Sequence, residues 1–307
     1  MPGCRVDIVG LGVSTIDELI LLEHLPRSNY KQEVLSRKRQ CGGLTGSALV
    51  AAARQGCSCA HVISLGNGEL SRFLREGLGR EGIRMFEDDS DPEAEPYYSL
   101  ILTERDGGER SILWDNSKAK PPAVSSWLKE ILAAKCLFVD HVYAEAILEI
   151  VDEARTAGID VVGDFERTAP GSAALMDLTN HVILPLGFCR QIFGDDVHAE
   201  DVVRRLANDP GRSLACVTDG VNGAWYALGE APNDVMHQAI FPMDNVVDTT
   251  GCGDVFHGVY CAGLVGGLPP SERIRRASAA AALKACVPGA QAGAPTHGEL
   301  DSFLSIR

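Results

Sequence analysis

Short runs of branched apolar residues alternate with helix-like runs along almost the whole chain, and this alternation restricts the fold more than any other feature. Arg5–Gly10, His61–Leu65, Cys136–Asp140, His181–Leu184 and Leu214–Thr218 each read as a short buried strand. Ser47–Gln55, with Thr45 as a candidate cap and Gly56 as its stop, and Leu70–Arg80 read as helices. Cys136–Asp140, Ala144–Ala157, Gly158 and Ile159–Asp164 make a complete strand–helix–strand unit. Apolar strands separated by helices belong in a parallel sheet covered on both faces. The predicted fold is therefore α/β: doubly wound, with a mostly parallel central sheet and helices on both faces.

Two regions break the rhythm. Residues of about 11–36 and 97–114 read as antiparallel strands with polar interruptions, and Asp106-Gly107-Gly108 suits a hairpin turn. A small β-sheet lid over a substrate cleft accounts for both; an ordinary sheet edge without a gating role is the alternative. No repeat, low-complexity tract or linker interrupts the chain, so one domain is expected over residues 1–307.

Composition narrows the partners. A net charge of −14 leaves no basic face for a phosphate backbone, which argues against nucleic acid. It is compatible with a small anionic substrate held in a local basic pocket. Val255–Leu268 is too short and glycine-rich to span a bilayer, and no basic-then-apolar segment opens the sequence. Cys136, Cys216 and Cys261 sit in apolar runs, as reduced structural thiols do. A cytoplasmic location away from membranes is the expectation.

The chemistry is concentrated in Val247-Asp248-Thr249-Thr250-Gly251-Cys252-Gly253-Asp254, followed directly by an apolar helix over Val255–Val265. Small residues at 251–253 leave backbone N–H groups pointing into open space, and the helix start adds the positive end of its dipole. Together they suit a phosphoryl group in transfer. Asp254, in the first turn, is placed to take the proton of an attacking alcohol. A tight turn with Asp254 as a simple cap is the plainer alternative. Upstream, Cys41-Gly42-Gly43-Leu44-Thr45-Gly46-Ser47 is a glycine-rich turn into an alanine-rich helix. Asp17 follows the first strand, and a carboxylate there can accept hydrogen bonds from two hydroxyls or sit solvated in a loop.

These segments resemble the ribokinase-like (PfkB) carbohydrate kinase family. Asp248–Asp254 is similar to its second signature, D-T-x-G-A-G-D, with Cys252 for Ala. Gly42-Gly43 with Ser47 resembles the first, G-G-x-x-x-N, with Ser for Asn. The resemblance implies a ribokinase-like fold and ATP-dependent phosphorylation of a sugar or sugar-like hydroxyl. It makes Asp254 the base and the Gly251–Gly253 backbone the anion hole, with Asp17, Gly42, Gly43 and Ser47 at the sugar. Thr218, Gly220 and Gly223 resemble the family's T-x-G-x-x-G and are implied at ATP; a β-hairpin turn is the other reading of that stretch. There is no Walker A loop.

Mg²⁺ is implied by the nucleotide, yet the family's N-x-x-E is replaced by Pro185-Leu186-Gly187-Phe188-Cys189-Arg190. A K⁺ site on the carbonyls of Asp248, Thr250, Val287 and Gly289 is also implied; a homodimer through the lid is expected because it would cover the exposed edges of that sheet. Within the family, Val246–Gly258 and Ala277–Phe303 look most like bacterial sulfofructose kinase. Val142 stands where that likeness would put an Arg on the sulfonate. Arg110, Arg167 and Lys31 are the other candidate cations for an anionic sugar. Asp164-Phe165-Glu166-Arg167 loosely resembles a fructokinase D-x-N-x-R, and is otherwise read as a solvated loop. A nucleoside or vitamin kinase, or a non-catalytic sensor on the same scaffold, are the competing functions.

Overall fold

The structure is a computed structural model and describes residues 6–88, 90–105 and 110–306. Nine strands form one sheet. In chain order these are β1 (Ile8–Leu11), β4 (Cys59–Ser64), β5 (Arg84–Asp88), β8 (Cys136–Asp140), β9 (Asp160–Asp164), β10 (His181–Pro185), β11 (Leu214–Thr218), β12 (Ala224–Leu228) and β13 (Ala231–Gln238). A second sheet holds β2 (Thr15–Leu22), β3 (Val34–Gly42), β6 (Tyr97–Glu104) and β7 (Arg110–Asp115).

The large sheet runs β13-β12-β11-β10-β9-β8-β1-β4-β5 and is parallel from β11 to β5. β12 and β13 add an antiparallel edge. Side chains alternate across each strand. Val9, Leu11, Leu137, Val139 and Val161 therefore join the core under the helix Ala144–Thr156. Ile8, Cys136, Phe138, Val162 and Ile183 join the opposite core under the helices Leu44–Arg54, Cys252–Val265 and Pro270–Ala285. Helices thus cover both faces, as the alternation predicts.

The small sheet follows the expectation with two corrections. Its order is β3-β2-β6-β7, and its two antiparallel hairpins meet through a parallel pairing of β2 with β6. Leu11 closes β1 of the main sheet, and β3 runs past Ser36 to Gly42, directly into the helix that begins at Leu44. The turn at Asp106-Gly107-Gly108 lies outside the described residues. Along β2, Glu18 turns away from Asp17 and meets Arg37 and Arg39 across the hairpin, at 2.5 and 2.8 Å.

The two helices that start nearest the glycine-rich segments touch. At Gly258 an added β-carbon would lie 2.1 Å from the Ala48 carbonyl oxygen, so only glycine permits this contact between Cys252–Val265 and Leu44–Arg54. No helix among the described residues is long and apolar enough to cross a membrane.

Candidate active site

The Cys252–Val265 helix starts on a bend whose pivot, Gly251, has φ +80°. The first N–H groups of a helix lack intrahelical partners. Here the Cys252 N–H turns back to the Thr249 carbonyl at 3.2 Å, and no backbone acceptor among the described residues meets the N–H of Gly253 or Asp254. The segment before the bend is braced by the Asp248 carboxylate, which accepts from the Thr250 N–H (2.8 Å) and the Gly289 N–H (2.7 Å). Gly253 is exposed.

On one side of this bend lies a cavity of about 460 Å³, a size that accommodates a nucleotide base and sugar. Thr218, Gly220 and Gly223 form one wall; Val246, Thr249, Cys252 and Gly253 form another; Ile240, Phe241 and Ala281 make it apolar. The Thr218–Gly223 stretch is the turn between antiparallel β11 and β12, as its plainer reading had it, and it lines the cavity. The Cys252 thiol is pushed up to about 11 by burial, so it remains a neutral small side chain. Its Sγ lies 3.5 Å from the Ala281 carbonyl.

On the other side lies a group of carboxylates. Asp254 is partly exposed, and among the described residues no hydrogen bond reaches its side chain. Its pKa is raised well above the usual carboxylate range by burial, then by the charges of Asp164, Glu166, Asp140 and Asp17. Asp164, at the end of β9, is buried, and its pKa is likewise raised by burial and by Glu166 and Asp140. The reading of Asp164 as part of a solvated loop is thereby corrected: Asp164 and Phe165 are enclosed, and only Glu166 and Arg167 are exposed. Asp164 Oδ2 is 3.4 Å from His257 Nδ1. That imidazole is wedged between the carbonyls of Gly253 (2.8 Å from Nδ1) and Ile183 (3.2 Å from Nε2), which fixes the first turn of the helix to β10.

Asp140, at the end of β8, is a residue the sequence did not single out. Fully buried, it accepts from the Val13 N–H (2.7 Å), the Thr45 hydroxyl (2.7 Å) and the Val142 N–H (2.9 Å). Thr45 is thus inside the helix and tied to Asp140 rather than capping; Gly43 occupies the cap position. The only signal for Asp140 was its place at the carboxyl end of a parallel strand, where ligands of open α/β sheets bind.

Asp17 is 7% exposed and receives the Thr15 hydroxyl at 2.7 Å. Burial raises its pKa, against hydrogen bonds from Thr15 and Ser99 that lower it. Its Oδ2 occupies the space a β-carbon at Gly42 would need, 2.1 Å away, so the glycine and the carboxylate fit one another. Ser47 is fully buried, and its Oγ has no partner among the described residues, so it is shielded from the cleft in this conformation.

The K⁺ site implied by the resemblance fits poorly, and the segment that replaces the family's N-x-x-E is apolar. Leu186 and Cys189 are buried apolar positions on the helix Leu186–Phe193, and among the described residues no group of three or more His, Cys, Asp or Glu is disposed around a metal. Of the four residues assigned to K⁺, the carbonyls of Asp248 and Val287 accept from Lys284 Nζ, at 2.7 and 3.2 Å. Among the candidate cations for an anionic sugar, Lys31 is exposed and the Arg110 side chain lies outside the description. Arg167 is exposed and held by two side chains: Nε lies 2.9 Å from His141 Nε2, and the guanidinium lies over Trp114 of β7 at 5.4 Å.

Residues 12–297 match the sequence profile of the pfkB family carbohydrate kinases. The chain is 23% identical over 304 residues to the ribokinase of Bacillus subtilis, covering 97% of this chain and 99% of that protein. It is 22% identical over 300 residues to the 2-dehydro-3-deoxygluconokinase of the same organism, covering 90% of each. Among solved structures, Arabidopsis thaliana ribokinase complexed with ribose and ATP aligns with a TM-score of 0.84 at 19% identity, over 98% of this chain and 99% of that one. Burkholderia thailandensis nucleoside kinase in complex with inosine aligns at 0.72 and 21% identity, over 98% and 96%. With its fold matched end to end and its sequence matched over residues 12–297, the chain belongs to the pfkB family of carbohydrate kinases and is a phosphotransferase.

Proposed function

We propose that this chain transfers the γ-phosphoryl group of ATP to a hydroxyl of a sugar or sugar-like alcohol, with Asp254 as the base. One observation carries the reading. The Gly251–Gly253 bend stands between the apolar cavity lined by Thr218, Gly220 and Gly223 and the carboxylates around Asp254. A nucleotide in the cavity would direct its terminal phosphoryl at the helix start, where backbone N–H groups and the helix dipole offset the charge that develops in transfer. The acceptor would lie on the carboxylate side, over Gly42 and Gly43, with two hydroxyls donating to Asp17 and Ser47 behind them.

In the step itself the acceptor hydroxyl gives its proton to the Asp254 carboxylate, its oxygen bonds to the γ-phosphorus, and the bond to the β,γ-bridging oxygen breaks to release ADP. The raised pKa of Asp254 makes it a stronger base than an ordinary carboxylate. Mg²⁺ would enter as its complex with ATP; no side chain of this protein is assigned to it. A second copy of this chain is the partner proposed for the small sheet, whose β3 and β7 edges carry Val34, Leu35, Ile112, Leu113 and Trp114 exposed.

The test is Asp254→Asn. Turnover should fall by several orders of magnitude while an ATP analogue still binds, because the proton acceptor is lost and the nucleotide cavity is untouched. Near-normal turnover in this variant would remove Asp254 from the mechanism. A thermal-shift panel of sugars, sulfosugars, sugar acids and nucleosides with the ATP analogue identifies the acceptor, since a bound ligand raises the apparent stability.

A further inference from the structure

Lys284 lies in the last turn of the helix Pro270–Ala285, inside the alanine-rich run Ala281-Ala282-Leu283-Lys284-Ala285, and its side chain is 0% exposed. A lysine ammonium is rarely enclosed without strong partners. Here every polar neighbour of Nζ among the described residues is an oxygen. Nζ donates to the carbonyls of Asp248 (2.7 Å) and Val287 (3.2 Å), and it stands 3.9 Å from Asp248 Oδ2. The carbonyl end of its own helix favours a positive charge at this position.

The two segments it joins are those that frame the bend at Gly251. The N–H groups of Val247 and Asp248 both reach the Ala285 carbonyl, at 2.9 and 3.1 Å. The Gly289 N–H returns to Asp248 Oδ2 at 2.7 Å, and Ala290 packs against Gly251. Burial draws the Lys284 pKa down, and the Asp248 carboxylate opposes it. The Asp248 pKa, pulled up by burial, ends below its ordinary value because Gly289, Thr250 and Lys284 favour the anion.

We infer that the Lys284 ammonium is the monovalent cation of this site, built into the chain, and that the protein takes up no K⁺ between the 248–250 and 287–289 segments. Two of the oxygens a K⁺ would need are already turned to the ammonium. A second unit charge about 4 Å from Nζ, at an effective dielectric of 20, meets a repulsion worth roughly a thousandfold in affinity. The ammonium holds both segments in register without an ion from solution. It also keeps a positive charge within electrostatic reach of Cys252 and Asp254 at the helix start.

The test needs no acceptor sugar, so it stands or falls apart from the kinase reading. Thermal unfolding of the full chain is measured in KCl, NaCl and choline chloride at equal ionic strength, and crystals are soaked in thallium(I). The melting temperature should agree across the three salts within about 1 °C, and no anomalous peak should lie beside the Asp248 and Val287 carbonyls. Lys284→Met, which keeps the length and removes the charge, should acquire a rise of several degrees specific to KCl. A KCl-specific rise in the unmodified chain, or a thallium peak at those carbonyls, overturns the inference. So does a folded Lys284→Met protein that gains no response to KCl. If that variant does not fold, the two measurements on the unmodified chain decide alone.

Discussion

Alanine at Gly253 and alanine at Gly251 should have opposite effects on stability, although the residues are two apart. Gly253 is in the first turn of the helix without a left-handed backbone, and a β-carbon there meets nothing within 4 Å. Alanine is favoured over glycine inside a helix by about 0.8–1.0 kcal/mol, and about half of that is expected at the first turn. Unfolding entropy of about 2.1 cal/mol/K per residue gives about 0.6 kcal/mol/K for 307 residues, so Gly253→Ala should melt about 1 °C higher. The same methyl projects into the space through which the phosphoryl group is proposed to pass, and turnover should fall about a hundredfold, as when one oxyanion donor is lost. At Gly251, φ +80° costs a residue with a side chain about 1–2 kcal/mol. The new β-carbon would also lie 2.7 Å from the Ala290 Cα, in a loop pinned by the bond from the Gly289 N–H to Asp248. A combined cost of about 3 kcal/mol lowers the melting temperature by about 5 °C, with turnover reduced as well. Calorimetry, ADP release at saturating ATP and titration with a fluorescent ATP analogue separate the effects. Full turnover in a well-folded Gly253→Ala protein would refute the argument that the phosphoryl group passes this amide.

Other expectations follow from the carboxylates and the small sheet. As the proposed base, Asp254 must be unprotonated to act, so its raised pKa should put the acid limb of the rate profile above that of an ordinary carboxylate. Asp164→Asn removes the largest neighbouring charge and should move that limb to lower pH; an unmoved limb would detach Asp164 from Asp254. Asp17→Asn keeps the contact with Thr15 but halves the acceptor capacity, so kcat/KM for the sugar should fall about a hundredfold with ATP affinity unchanged. Leu113→Lys, at a 53% exposed position on β7, should shift light-scattering mass toward the monomer, whereas an unchanged mass would place any self-association elsewhere. Asp7, which burial would pull up, is held at about 2 by Lys135 and Ser58. It should contribute about 1 kcal/mol of stability above the unfolded carboxylate pKa, lost as pH falls through 2 and absent in Asp7→Asn.

The elements most legible in the sequence were those whose burial is two-sided. Cys136–Asp140 and Leu214–Thr218 are continuous apolar runs, and they begin and end where expected. The Gly251–Asp254 bend was legible because small residues before an apolar helix have few uses. The pairing inside the small sheet was not: periodicity gives a strand's faces but not its neighbours, so the parallel contact of β2 with β6 could not be read. Asp140 and Asp164 were missed or misjudged for a related reason. An acidic residue at a strand end looks the same whether it is solvated or enclosed, and what encloses these two comes from Val13, Thr45 and His257, far away in the chain. Lys284 shows the same limit, since a lone lysine among alanines usually marks a solvent-facing stripe.

The contact at Gly258 has a mechanical meaning. With Ala48 resting on that residue, the helix behind Gly42-Gly43 and the helix behind Gly251–Gly253 form one packed plate, so the spacing of the two proposed binding floors is set by that packing. A hinge that admits the proposed acceptor is then expected in the four-stranded sheet. Its β3 strand feeds straight into the plate at Gly42, so swinging that sheet would tug on the residues proposed to receive the sugar.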